Sequence, residues 1–163
     1  MKNTEIHLSE AVEKVRSFLE SKDCECEIFY TSDTIFTVDD ASRAVGAPPE
    51  EILKTLMLLV DEVHVLALMS GINRVDMKKI RKILNARKVR MADPDFVYDY
   101  SGFRIGGVPP VGYPHPLETL IDQDLFLFPI VWAAAGNDHS FFPVRPCLLQ
   151  DITCGKKCDI RKE

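Results

Sequence analysis

Two apolar runs set back to back constrain this chain more than any other feature. The first extends from Leu53 to Val60 with Lys54 and Thr55 near its start; Asp61-Glu62 interrupts it, and Val63 to Met69 returns. An acidic two-residue break between runs of strand length predicts a hairpin. Near-continuous hydrophobicity, in place of strict alternation, makes its strands central. Apolar runs of this length are also compatible with helix, so the flanking segments must decide.

Those segments alternate in type. Val12, Val15, Phe18 and Leu19 mark one face of a helix from Ser9 to Ser21, with Ser9 and Glu10 as N-cap and first turn. Cys26 to Tyr30 reads as a strand. Thr37-Val38-Asp39-Asp40 resembles a capping box, Gly46 is a natural stop, and Pro48 to Glu51 opens another helical turn. After the hairpin, Val75, Met77, Ile80, Ile83 and Leu84 supply the buried stripe of a basic helix, and Val89 and Met91 suggest a short strand. Asp93-Pro94-Asp95 starts a short helix that Gly102 closes. Thr119 to Asp122 and Ile130 to Ala135 read as strands, Gly136 to His139 as a turn, and Ser140 to Val144 as the strand pairing back. Beyond Pro146 the pattern weakens to a short helix or extended tail. The expected fold class is mixed α/β (α+β): a curved, barrel-like mixed β-sheet with short surrounding helices.

Length and composition narrow the class of protein. The 163 residues, 46 % hydrophobic and 28 % charged, suit one globular domain spanning 1–163. No apolar run approaches the roughly 20 residues that span a bilayer. The amino terminus leads into an amphipathic pattern without a signal-peptide core, so no membrane partner and a cytoplasmic location are expected. The net charge of −5 argues against indiscriminate nucleic-acid binding. Yet the stretch from Arg74 to Arg90, including Lys78, Lys79, Arg81 and Lys82, carries Asp76 as its only acid. It is either a solvated helix face or a local phosphate-contacting surface. Five cysteines without a leader argue against a disulfide framework. Neither Cys24-x-Cys26 nor the Cys154, Cys158 pair has a common zinc spacing, so no metal and no cofactor are expected. The late thiols are assigned to a flexible tail.

Chemistry can be sought in a few places. Ile105 to His115 holds Gly106, Gly107 and Gly112 with Pro109, Pro110 and Pro114 and no charged residue, the composition of a stiff loop that approaches a ligand closely. Gly106 and Gly107 can present amides to a developing oxyanion, or simply form a tight turn. Lys54, at the head of an apolar strand, either snorkels to solvent or holds an anion or carbonyl; Thr55 beside it offers a hydroxyl. His139 lies in a turn after a strand, in reach of a general-base or proton-shuttle role, whereas His7, His64 and His115 have weaker contexts. Nucleophile-elbow, zinc-protease, P-loop and dinucleotide motifs are absent.

In order and spacing these pieces resemble the YbaK/EbsC family of aminoacyl-tRNA deacylases, which also occurs as the editing domain of bacterial-type prolyl-tRNA synthetases. The likeness is carried by Val38-Asp39-Asp40-Ala41, Val45-Gly46, Ile52 to Leu56, Val75 to Lys79, Lys88 to Ala92, Ser101-Gly102, Gly106 to Gly112, Ile121-Asp122 and Ala134-Ala135-Gly136. The resemblance implies a YbaK-like fold and hydrolysis of the ester between a wrongly attached amino acid and the terminal ribose of tRNA. It places the family's strand lysine on Lys54, the following residue on Thr55, the loop on Gly106 to Pro110 and the glycine turn on Gly136. His139 falls where some branches carry a functional histidine, and Tyr30 matches a pocket tyrosine of one branch. Lys54, Gly106, Gly107 and His139 are thus the implied catalytic residues. Tyr30, Thr55, Gly102, Val108, Pro110 and Gly136 would surround the substrate, and Lys78, Lys79, Arg81 and Lys82 would touch tRNA. The implied partners are mischarged aminoacyl-tRNA and an aminoacyl-tRNA synthetase. A non-catalytic tRNA- or aminoacyl-ligand-binding module is the alternative. The loop reads G-G-V-P-P-V-G where many relatives have I-S-P-F/L-G, and Asn137-Asp138-His139 departs from the K-R-G of the cysteinyl-specific branch, so cysteine specificity does not transfer.

Overall fold

A computed structural model describes residues 2–163, with side chains described from Glu10 onward. The hairpin is present as expected: β2 (Leu53–Val60) and β3 (Val63–Ser70) pair antiparallel, with Lys54 opposite Met69 and Val60 opposite Val63. Asp61 and Glu62 both take positive φ, 48° and 66°, giving the left-handed two-residue turn that matches strand twist. The uninterrupted hydrophobicity has a physical cause, because each face of the hairpin is buried. Leu53, Met57, Leu59, Leu66 and Leu68 enter the larger core cluster. Leu58, Val60, Val65, Ala67 and Met69 enter a second one, closed by Ile80 of α3 (Met77–Ile83).

Around the hairpin the sheet is completed by β4 (Val89–Met91), β5 (Glu118–Asp122) and β8 (Lys156–Cys158), in the order β4-β2-β3-β5-β8. β5 runs parallel to both its neighbours and β4 antiparallel to β2. A second sheet has the order β1-β7-β6, from β1 (Phe29–Tyr30), β6 (Val131–Ala134) and β7 (Ser140–Val144). The sheets meet where a parallel bridge joins Ile52 to Trp132. The mixed α/β expectation holds, but the sheet is split in two and not closed as a barrel.

The helices are α1 (Lys2–Ser21), α2 (Val38–Val45), α3, α4 (Pro94–Ser101) and α5 (Pro146–Thr153). α1 begins earlier than Ser9, which sits inside it. A serine is tolerated within a helix and is only a weak start signal. Val12, Val15 and Leu19 are buried as the spacing implied. The side chain of His7 lies outside those described. The Thr37 capping box forms in full, Thr37 accepting from the Asp40 N–H and Asp40 accepting from Thr37. None of the described helices is long and apolar enough to cross a membrane.

Two readings need correction. The strand expected over Cys26 to Tyr30 shortens to Phe29–Tyr30. With Phe29 opposite Phe141, continuing the register would set Glu27 against Pro143, which has no N–H to share. The carboxyl-terminal thiols are not in a loose tail: Cys158 lies in edge strand β8, paired with Asp122, and Ile160 beyond it is fully buried.

Candidate functional site

Where the two sheets meet, an open, mainly apolar pocket of about 320 Å³ lies between the start of β2, α2, the segment before α2, and the first residues of the Ile105 loop. Ile52, Leu53 and Leu56 come from β2 and its approach, Val38 and Ala41 from α2, and Ala134 and Phe141 from the second sheet. Lys54 and Thr55 are its polar members on the strand, and Gly106 and Val108 its members from the loop.

Lys54 is half-buried and has no hydrogen-bond or ion-pair partner among the described residues. Its amine is held below the ordinary lysine range, first by burial and then by the Arg74 guanidinium, with Asp122 pulling the other way. Asp122 is fully buried. It is committed to the fold, accepting from the Ser70 N–H at 3.1 Å, Asn73 Nδ2 at 2.8 Å and the Asp124 N–H at 3.0 Å. Asn73 also reaches Asp124, which pairs with Arg161 at 2.8 Å. Lys54 thus feels the field of a second cation, while the neighbouring carboxylate is already engaged by three donors. On the other face of the strand the Thr55 hydroxyl is buried with no hydrogen-bond partner among the described residues. As neighbours along the strand, Lys54 and Thr55 point to opposite faces, and both border the pocket at the uncovered edge of β2, where an ammonium suits an anion and a hydroxyl suits a carbonyl.

The loop has the stiffness its composition implied. The Tyr113 hydroxyl donates to the Pro109 carbonyl at 2.7 Å, and burial pushes its pKa far up. Gly106 takes φ 97°, a conformation that side chains rarely adopt. At Gly107 a Cβ would lie 2.4 Å from Asn137 Cα, so only glycine lets the loop pack on the 137 turn. The loop divides its work: Ile105, Gly106 and Val108 border the pocket, whereas Pro110 to Pro116 lines a separate cleft with Phe18 of α1 and Ile152 of α5.

Several expected site residues lie elsewhere. The Gly107 N–H donates to the Arg104 carbonyl at 3.0 Å and is not available as a second oxyanion donor. Tyr30 is exposed, receives a bond from Arg16 at 3.0 Å and does not line the pocket. Gly102 and Gly136 border a different cleft with Lys14 and Arg104, and Pro110 belongs to the cleft beside α5. His139 is not on the pocket wall. Its Nδ1 bonds the Asp33 carbonyl at 3.0 Å and its Nε2 lies 3.2 Å from Asp138, so the ring clamps the segment leading to α2. Lys78, Arg81 and Lys82 are exposed on α3, whereas Lys79 is taken up by Asp159 at 3.1 Å and the Arg161 carbonyl at 2.8 Å. Ile35, Phe36, Val38, Ala41, Ala134 and Phe141 were not anticipated as site residues, because nothing local marks a residue as facing a cavity between two sheets.

Residues 32–152 match the model of the aminoacyl-tRNA editing domain. The chain is 31 % identical over 121 residues to the uncharacterized protein YwhH of Bacillus subtilis, covering 74 % of this chain and 76 % of that one. It is 27 % identical over 131 residues to the proline–tRNA ligase of Pediococcus pentosaceus, covering 80 % of this chain but 23 % of the ligase, so it spans about a quarter of that relative's length. A crystal structure of a candidate trans-editing enzyme for prolyl tRNA synthetase superposes with a TM-score of 0.89 at 32 % identity, covering 94 % of this chain and 98 % of that one. The pocket built around Lys54 and Thr55 falls inside the matched segment, and the chain belongs to the aminoacyl-tRNA editing domain family.

Proposed function

We propose that residues 1–163 act as one editing domain in the cytoplasm, hydrolysing the ester that joins a wrongly attached amino acid to tRNA. The single observation that carries this reading is the unpaired, half-buried Lys54 ammonium at the head of β2, on the border of a mainly apolar pocket. Lys54, with Arg74, holds the phosphate of the terminal nucleotide. Thr55 bonds the aminoacyl group. The Gly106 amide, which has no acceptor among the described residues, meets the oxyanion as the carbonyl becomes tetrahedral. Water adds to that carbonyl, the bond to the ribose oxygen breaks, and the ribose hydroxyl departs with its proton.

The hydroxyls bordering the pocket, those of Thr37 and Thr55, have no histidine or carboxylate beside them among the lining residues to activate them, and both His139 nitrogens face other groups. The attacking water is therefore activated by the neighbouring ribose hydroxyl of the substrate itself, an arrangement in which positioning supplies most of the rate. The mainly apolar wall, aliphatic apart from Phe36 and Phe141, favours an amino acid with an uncharged side chain. The exposed Lys78, Arg81 and Lys82 extend from the Arg74 side and would meet the acceptor stem.

The test is deacylation of tRNAs charged with alanine, cysteine, serine and threonine, including mischarged tRNA for proline, by wild type and Lys54→Ala. Fast turnover of one class by wild type and its loss in the variant is the expected result. Equal rates in the two proteins overturn the assignment of Lys54. Binding of tRNA without turnover of any ester indicates a non-catalytic module.

A further inference from the structure

Two side chains on the pocket rim face water although both are apolar. Phe36 is 82 % exposed and Ile105 65 % exposed, and both border the pocket. Phe36 is not on a loose segment. Its own N–H and that of Thr37 both donate to Asp40 Oδ2, at 3.1 and 3.2 Å, inside the capping box of α2. On its other side the Ile35 N–H donates to the Asp138 carbonyl at 3.1 Å, and His139 Nδ1 holds the Asp33 carbonyl. The backbone is thus pinned on both flanks, and the ring is left in solvent at the mouth of a ligand pocket. Across the mouth, a Cβ on Gly106 would stand 3.4 Å from the Ile35 carbonyl oxygen, so the two lips carrying Phe36 and Ile105 lie close together.

We propose that Phe36, with Ile105 beside it, is the platform on which the adenine base of the terminal nucleoside stacks. The inference rests on the editing function proposed above. With the aminoacyl group in the pocket and the phosphate at Lys54 and Arg74, the base is the remaining part of the terminal nucleotide and must leave over the rim. A purine offers a flat π-face, which an aromatic ring carried on a pinned backbone, with only two side-chain torsions to fix, meets at low entropic cost. Stacking reads no base identity, and none is needed, since every tRNA presents the same terminal adenosine. His139 then has a positioning role, through the segment it clamps.

Steady-state deacylation of aminoacyl-tRNA tests this. Phe36→Ala is expected to raise KM by about tenfold or more, with kcat within about twofold. Phe36→Trp should restore wild-type KM, and Phe36→Leu, apolar but not flat, should not. An unchanged KM in Phe36→Ala, or full rescue by Leu, overturns the platform. A calorimetric titration with the trinucleotide cytidylyl-cytidylyl-adenosine separates the two proposals. Absence of deacylation by wild type on every tRNA defeats the editing function. The platform then stands only if wild type binds the trinucleotide and Phe36→Ala does not; equal binding, or none to wild type, defeats it.

Discussion

Lys54 and Lys79 are both partly covered lysines on one chain, and their surroundings push them in opposite directions. Lys79 donates to both Asp159 oxygens and to the Arg161 carbonyl, with Glu163 at 3.5 Å, and its pKa is raised, chiefly by the hydrogen bond to Asp159. Lys54 has burial and a second cation for company, and its pKa is lowered. A charge answered within the fold holds α3 to the carboxyl-terminal strand. A charge left unanswered beside a cavity is available to whatever enters. Both residues sit in basic surroundings, so charge counting alone cannot separate them; the position of the nearest free carboxylate does.

The sharpest way to break this contrast is to remove each lysine. Lys54→Ala should lower kcat/KM for the edited aminoacyl-tRNA by about 100-fold, the scale of a substrate misplaced when the contact that positions it is lost, while leaving Tm nearly unchanged. A large fall in Tm would mean that Lys54 is structural. Next in size, Asp122→Ala should destabilise by about 2–4 kcal/mol, because three donors lose a buried acceptor. Chemical denaturation measures this, and a neutral result would show that the carboxylate is not the saturated partner described here.

The pH dependence sharpens the comparison. Lys54 loses its proton below the ordinary lysine pKa of 10.5, so kcat/KM, corrected for spontaneous ester hydrolysis, should fall on an alkaline limb below that value. Lys54→Arg should move the limb upward, and a limb that stays in place assigns the titration to another group. The smallest effect belongs to Lys79→Ala, which should lower Tm by no more than about 2–4 °C with kcat/KM within about threefold. The sign of its pH dependence follows from its partner. Asp159 has its pKa lowered by Lys79, so this pairing stabilises the fold above the unfolded carboxylate value of 3.8 and is lost as pH falls through the lower folded-state value. The Tm gap between Lys79→Ala and wild type should close over that acid range. A gap that persists would mean that the pair does not couple as the geometry indicates.

Much of the fold was legible because its signals are local. The acidic break at Asp61-Glu62, the Thr37 box and the Asp93-Pro94 start each act within a few residues, and each element formed where its signal stood. Strand β8 left no such trace: Lys156-Lys157-Cys158 has neither alternation nor strand formers, and becomes a strand because β5 offers it an edge. The same division runs through the site. Lys54 stood out as a cation heading an apolar strand. Gly107 looked equivalent to Gly106 until Arg104 took its amide, and Tyr30 and His139 looked like pocket residues until their pairing with Arg16, Asp33 and Asp138 turned them elsewhere. An aromatic directly before an N-cap, with no amphipathic pattern to explain it, was the one local sign of Phe36.

By itself the sequence determined the double-faced hairpin, the stiffness of the glycine-proline loop and the placement of a lysine where apolar packing begins. Those follow from steric and hydrophobic terms that act along neighbouring residues. Only the tertiary structure decided which polar groups remain unpaired. Pairing depends on partners far apart in the chain, such as Asp122 with Asn73 and Lys79 with Asp159. Lys54 is left without a partner among the described residues because the nearby Asp122 is already spent on donors from distant parts of the chain.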